Sequence, residues 1–216
     1  MSELLSKALL SYLLGSIIGS LVVGRLRGGV DIRRQGSGNP GSTNALRTQG
    51  KAFALWVLLI DIGKGVLATS LVASAQQPGI ASPDSGWPLW LGVVCGTAVM
   101  IGHLYPLWYG FRGGKGVATL VGAVLGLHPW LLVPMVLAWL ATVALTGFVG
   151  LASVTGAMAL ALALRLTTIE PRLPLQAFGA LSALLILFTH RSNLARMLAG
   201  TEPRARTLWL LRSRRA

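Results

Sequence analysis

Seven long stretches of this chain carry almost no charge: residues 8–24, 52–75, 88–102, 117–127, 130–146, 148–164 and 173–189. No other feature limits the fold as strongly. A helix crossing the hydrocarbon core of a bilayer needs roughly 20 apolar residues, and lipid tolerates no backbone group without an internal partner. Charged residues are 12% of the 216, against about 25% in soluble domains, while 53% are hydrophobic. The chain reads as an all-α integral membrane protein, one membrane domain over 1–216 with a basic cytoplasmic tail over 203–216. The first run lacks the basic start and A-x-A site of a cleaved signal peptide: MSELLSK is nearly neutral, and the run passes straight into Arg25-Leu26-Arg27. It is expected to be a retained span.

The fourth run is short. As a helix, 116–130 covers about 22 Å of a core roughly 30 Å thick. The distribution of cations decides its membership. If all seven runs cross, 15 cations lie on the side holding loops 25–51 and 103–116 and the tail, against Lys7, Arg165 and Arg172 on the other. If the fourth does not cross, the split is 10 against 8. The positive-inside rule favours seven transmembrane helices, the N-terminus outside, the C-terminus in the cytoplasm and the fourth span short. The net charge of +13 is thereby explained by topology and anionic ligands, without nucleic acid.

The richest polar stretch is 36–51, GSGNPGSTNALRTQGK. It holds four glycines, two asparagines and two cations, and no acid. Glycines let successive backbone N–H groups converge on an anion. Ser37, Asn39, Thr43 and Asn44 add neutral donors, and Arg47 offers a planar fork that fits phosphate. This is the pattern of a phosphate site. A second motif spans 102–119, where Gly113-Gly114-Lys115-Gly116 runs into the fourth span and sets a lysine at a helix N-terminus, a position that favours anions. The third follows the seventh span: His190, Asn193 and Arg196 recur at i, i+3 and i+6, roughly one face of a continuing helix. The topology sets all three motifs on one side of the membrane.

Asp61 and Lys64 share a helix face inside the second run. They are read as a structural pair locking helices together rather than as active-site support. Loop 76–88 is a plain outer loop, with Trp87 and Trp90 suited to the interface. The tail is expected to lie on the anionic leaflet. Cys95 stands alone in an apolar run, and His103, His128 and His190 are scattered, so no disulfide, metal or cofactor is expected. Gly36, Gly38 and Gly41 spell G-x-G-x-x-G without the apolar strand that a dinucleotide fold requires, and 110–116 misses a Walker loop by one residue and a hydroxyl. No His-x4-Asp dyad and no G-x-S-x-G occur.

The segments SGNPGSTNALRTQGK, GHLYPLWYGFRGGKGVAT and HRSNLARMLAGTE, in that order, resemble the three signature blocks of the bacterial acyl-phosphate:glycerol-3-phosphate acyltransferase family (PlsY-type). Asp61-Ile62-Gly63-Lys64-Gly65 is similar to a further family feature. The resemblance covers nearly the whole chain. It implies seven spans, an active site at the cytoplasmic face of the bacterial inner membrane, and acyl transfer from acyl phosphate to the 1-hydroxyl of glycerol 3-phosphate without metal or coenzyme A. By similarity Ser37, Asn39, Lys115, His190 and Asn193 are the catalytic positions. Gly38, Gly41, Thr43, Asn44, Arg47, Gly113, Gly114, Lys115 and Gly116 would bind phosphate. Ser42 stands where alanine is expected, and Ser192 where an acid is common. The proton acceptor is either His190 or the donor's own phosphate, and the absent His–Asp dyad leans toward the phosphate. The protein is expected to act as a monomer. The rival from another class is a membrane transporter for a phosphate-bearing solute, but that calls for polar groups at the midplane and an inverted repeat, and the sequence shows no repeat.

Overall fold

The computed structural model describes residues 2–75, 87–205 and 207–210, and among these the regular structure is helical throughout. Loop residues 76–86 and the end of the tail, 211–216, lie outside the described residues, as do the side chains of Trp87 and Pro88. The chain forms two compact units, Met1–His128 and Pro129–Ala216.

In the first unit the opening run is not one straight helix. It forms α1 (Ser2–Gly15) and α2 (Gly19–Leu26), bent by 47° at the break. A break at membrane depth frees backbone groups, and these need partners. The second run supplies them from α4 (Lys51–Leu67), reached through the short α3 (Ser42–Gln49). Lys64 Nζ donates to the Gly15 carbonyl at 3.0 Å and to the Ile17 carbonyl at 2.7 Å. Asp61 Oδ1 accepts from the Gly19 N–H at 3.2 Å. The pair does lock helices together, and the place it locks is the kink.

The third and fourth runs become α5 (Trp87–Leu104) and α6 (Val117–Leu127). Small residues set the crossings. A Cβ at Gly102 would lie 2.2 Å from the Tyr12 carbonyl oxygen, and one at Gly122 would lie 2.0 Å from that of Ile62. Backbones thus touch where α1 meets α5 and where α4 meets α6, the close approach that drives helix association in lipid. A separate apolar cluster of Val23, Ile32, Ala45, Phe53, Ala54 and Val57 seats the polar loop and α3 on the bundle end.

In the second unit α7 (Leu132–Thr146), α8 (Val149–Leu166) and α9 (Arg172–Thr189) pack in sequence, followed by the short α10 (Arg191–Leu198). Gly147, at φ 76°, turns α7 into α8. The described part of the tail docks on this turn. Ala205 N–H donates to Gly147 O at 2.7 Å, Leu210 N–H to Ala144 O at 2.9 Å, and Trp209 Nε1–H to Leu145 O at 3.2 Å. The Arg204 guanidinium stacks on the Phe148 and Trp209 rings, 4.6 and 4.2 Å from their centroids. Backbone hydrogen bonds and stacking thus tie Arg204, Ala205, Trp209 and Leu210 to the protein.

Among the described residues, five helical segments are long and apolar enough to cross a membrane, and a sixth counts if α1 and α2 make one bent span. α6, with 11 residues, is shorter. Leu55, Leu59, Leu137 and Leu184 are each at least half exposed, as suits side chains facing lipid.

Candidate active site

In the first unit the loop before α3 is built around Asn44, which is 2% exposed. Its Oδ1 accepts the Ser37 N–H at 3.0 Å, and its Nδ2 donates to the carbonyls of Ile32 at 3.1 Å and Gln35 at 3.0 Å. A Cβ at Gly36 would overlap Asn44 Oδ1, and Gly36 also holds φ 56°, so only glycine serves there. Asn44, expected to donate to phosphate, directs its amide into the loop instead. Ser37, Thr43 and Arg47 are exposed around it, and Asn39 is half-buried. Thr43 and Arg47, four apart, share a face of α3. The helix begins at Gly41 without a side-chain cap, so its first amides are suited to an anion.

The nearest acid, Asp31, is closed by its own neighbour. Arg33 binds it through Nε at 3.0 Å and Nη2 at 2.8 Å. The Arg33 guanidinium holds the Asp31 carboxyl below the ordinary carboxylate value, and the carboxylate raises the arginine in return. Arg33 also stands 5.9 Å from the centroid of the Tyr109 ring, a contact between the first loop and the second motif.

The second motif folds back on the end of α5. Gly113 N–H donates to Leu104 O and Gly114 N–H to His103 O, both at 3.1 Å. These two glycines were expected to turn their amides toward phosphate, but their amides close the loop. They must be glycine because of close approach: a Cβ at Gly113 would meet His103 O, and one at Gly114 the His103 imidazole. Gly116, at φ 88°, starts α6 without a side-chain cap. Lys115 is half-buried immediately before it.

His103, to which the sequence reading gave no role, is 3% exposed and joins the deep pair. Its Nδ1 lies 2.7 Å from Lys64 Nζ and 3.5 Å from Asp61 Oδ1, while Lys64 Nζ and Asp61 Oδ1 are 3.0 Å apart.

In the second unit His190 ends α9 and is 4% exposed. Its Nδ1 lies 2.8 Å from the Ile186 carbonyl oxygen, and a carbonyl only accepts, so Nδ1 carries the proton there. Asn193 and Arg196 sit on α10, joined by Glu202: Asn193 Nδ2 donates to Oε1 at 2.6 Å and Arg196 Nε to Oε2 at 2.7 Å. Glu202 is 9% exposed and was not singled out from sequence, although the third block contains it. Asn193 also packs on α8, where a Cβ at Gly150 would lie 2.8 Å from its own.

Residues 5–200 match the protein-family profile described as glycerol-3-phosphate acyltransferase. The chain belongs to the glycerol-3-phosphate acyltransferase family. It is 42% identical over 197 residues to the glycerol-3-phosphate acyltransferase of Synechococcus elongatus, covering 91% of this chain and 92% of that one. It is also 42% identical over 196 residues to that of Azotobacter vinelandii, covering 90% and 96%. The fold is similar to the crystal structure of PlsY (YgiH), an integral membrane glycerol 3-phosphate acyltransferase, in its glycerol 3-phosphate form. That match has a TM-score of 0.81 and 32% identity, covering 93% of this chain and 94% of that one. The lysophosphatidic acid form of PlsY matches with a TM-score of 0.81 and 31% identity, covering 95% and 97%. The resemblance drawn from the three motifs is thereby borne out at the level of the family. The glycerol-3-phosphate acyltransferase motifs divide between the units, the first two in residues 1–128 and the third in residues 129–216.

Proposed function

We propose that this chain transfers the acyl group of an acyl phosphate to the 1-hydroxyl of glycerol 3-phosphate, giving 1-acyl-glycerol 3-phosphate (lysophosphatidic acid) and phosphate. It acts as a monomer in the bacterial inner membrane, with seven spans, its N-terminus outside and its active site at the cytoplasmic face. The five long helices, the bent α1–α2 pair and the short α6 support the seven-span reading, and the loop cations support its orientation.

The observation that carries the reaction is the first loop. Asn44 pins it from the buried side, so Ser37 and Thr43 lie by an uncapped helix start, Arg47 follows on the Thr43 face in the last turn of α3, and the carboxylate nearest in sequence, Asp31, is already closed by Arg33. Such a site favours anions, and both substrates carry phosphate. PlsY, the similar structure, was determined in forms named for glycerol 3-phosphate and lysophosphatidic acid, an acceptor and a product of this reaction.

An acyl phosphate is a mixed anhydride and already activated, so positioning and charge stabilisation suffice without a covalent nucleophile. Arg47 and Lys115 bind phosphate. Ser37, Asn39 and Asn193 orient the glycerol and the reacting carbonyl. The glycerol hydroxyl oxygen bonds to the acyl carbon, the bond from that carbon to the phosphate oxygen breaks, and the hydroxyl proton leaves with the phosphate. His190 is the alternative proton acceptor: with Nδ1 donating to Ile186, Nε2 is the basic nitrogen. The transporter reading loses support because the deep polar groups are bonded to one another and to backbone.

The test is purified protein in detergent with palmitoyl phosphate and glycerol 3-phosphate, following phosphate release. Release that needs both substrates and collapses in Lys115→Ala supports the reading. Folded wild-type protein that releases nothing across several chain lengths overturns it.

A further inference from the structure

The deep polar cluster and the glycine loop of the second motif meet at one side chain. We infer that His103 is a positioning residue for Lys115: its imidazole, held by the buried Lys64–Asp61 pair, sets the course of the 113–116 loop. This deepens the proposed acyl transfer and rests on it.

Lys64 Nζ has three protons and faces four acceptors, the carbonyls of Gly15 and Ile17, Asp61 Oδ1 and His103 Nδ1, all within 3.0 Å. An ammonium group only donates, so Nδ1 accepts, and a neutral ring then carries its proton on Nε2. Both partners of the ion pair have side chains 2% exposed. Buried charges are costly without close partners, and all four of these contacts are 3.0 Å or shorter, so the cluster holds the ring in place.

The opposite edge of that ring is the wall of the loop. A Cβ at Gly114 would lie 2.2 Å from His103 Nε2 and 2.9 Å from Cε1. The ring therefore occupies the space that any side chain at 114 would need. The main chain of the same residue holds the loop as well, since His103 O accepts the Gly114 N–H at 3.1 Å. Beyond Lys115, α6 is fixed from the other direction, where Gly65, next to Lys64, approaches the Thr119 backbone. Lys115 thus sits between two anchors that both trace back to the same buried pair.

A glue role and a positioning role differ in what they do to kinetics. Lost glue lowers the fraction of folded protein, and with it apparent kcat, but leaves KM unchanged. A displaced Lys115 weakens a phosphate contact and raises KM for a substrate that it holds. Asparagine at 103 keeps an acceptor near Lys64 and removes the ring from Gly114. Alanine at 114 leaves the cluster intact and pushes on the ring. The expected result with glycerol 3-phosphate and palmitoyl phosphate is a KM raised on the order of 10-fold for at least one substrate in His103→Asn and in Gly114→Ala. In the His103→Asn background the methyl at 114 has room, so adding Gly114→Ala costs less than about twofold further, which is non-additivity between contacting residues. If His103→Asn is not recovered folded, the KM values of Gly114→Ala decide alone. Active wild type with both KM values unchanged in the variants, or a fully additive double variant, overturns this inference and leaves the acyl transfer standing. A folded wild type without turnover overturns both.

Discussion

Asn44 Oδ1 accepts the Ser37 N–H at 3.0 Å, across seven residues of chain. With its amide donating to Ile32 and Gln35, one buried side chain shapes the loop that offers Ser37. Asn44→Ala leaves the Ser37 amide without its partner and takes one of two donors from the Ile32 and Gln35 carbonyls, which keep the Gln35 and Gly38 amides, at about 1–3 kcal/mol in all. Asn44→Asp can still accept from Ser37 but cannot donate. Both variants are expected to lose at least about 10-fold in kcat/KM with a lowered unfolding temperature, measured by phosphate release and by melting in detergent.

Lys64→Met is expected to be among the most damaging substitutions in the first unit. It leaves Asp61 charged and buried and strips donors from the Gly15 and Ile17 carbonyls. Breaking one side of a buried pair costs about 3–5 kcal/mol. The Asp61→Asn/Lys64→Met double variant removes both charges and should melt above Lys64→Met alone. Melting curves of the two variants in one detergent check this.

Glu202 holds Asn193 at 2.6 Å and Arg196 at 2.7 Å. Glu202→Ala is expected to lower kcat/KM about as far as Asn193→Ala does. The double variant should lose little more, because the two act as one unit. Independent losses that multiply would argue against a shared role.

Arg204 stacks on Phe148 and Trp209 in the second unit. Arg204→Ala should lower stability by about 1–2 kcal/mol while KM for both substrates stays at the wild-type value. A changed KM would mean that the docked tail takes part in substrate binding.

The Asp31–Arg33 pair makes a pH prediction. The arginine lowers the folded carboxyl below its unfolded value. The pair therefore stabilises fully above the unfolded pKa and is lost as pH falls through the lowered folded one. Asp31→Asn should flatten the acid side of a melting-temperature profile and leave the neutral side nearly unchanged. A profile that keeps its full acid slope would show that other carboxylates govern it.

Much of this protein was written in local pattern. Uncharged runs of near-membrane length became helices because lipid leaves the backbone no other partner. The glycines of the first two blocks fell in loops, although half of 36–51 became the helix α3, and Asp61 and Lys64, three apart, met as their spacing demands. The resemblance of the blocks led to the right family. What the sequence could not decide is which distant group each polar side chain would find. Lys64 bonds to carbonyls 49 and 47 residues away, and His103 meets it across 39. Neither the kink between α1 and α2 nor the role of His103 exists until those segments are packed. Asn44, Gly113 and Gly114 had the right chemistry for phosphate, yet their polar groups close the loops that present Ser37, Arg47 and Lys115. Composition shows that donors are present; only tertiary structure shows where each one points, because a hydrogen bond is made at about 3 Å between atoms whose separation along the chain sets no such distance.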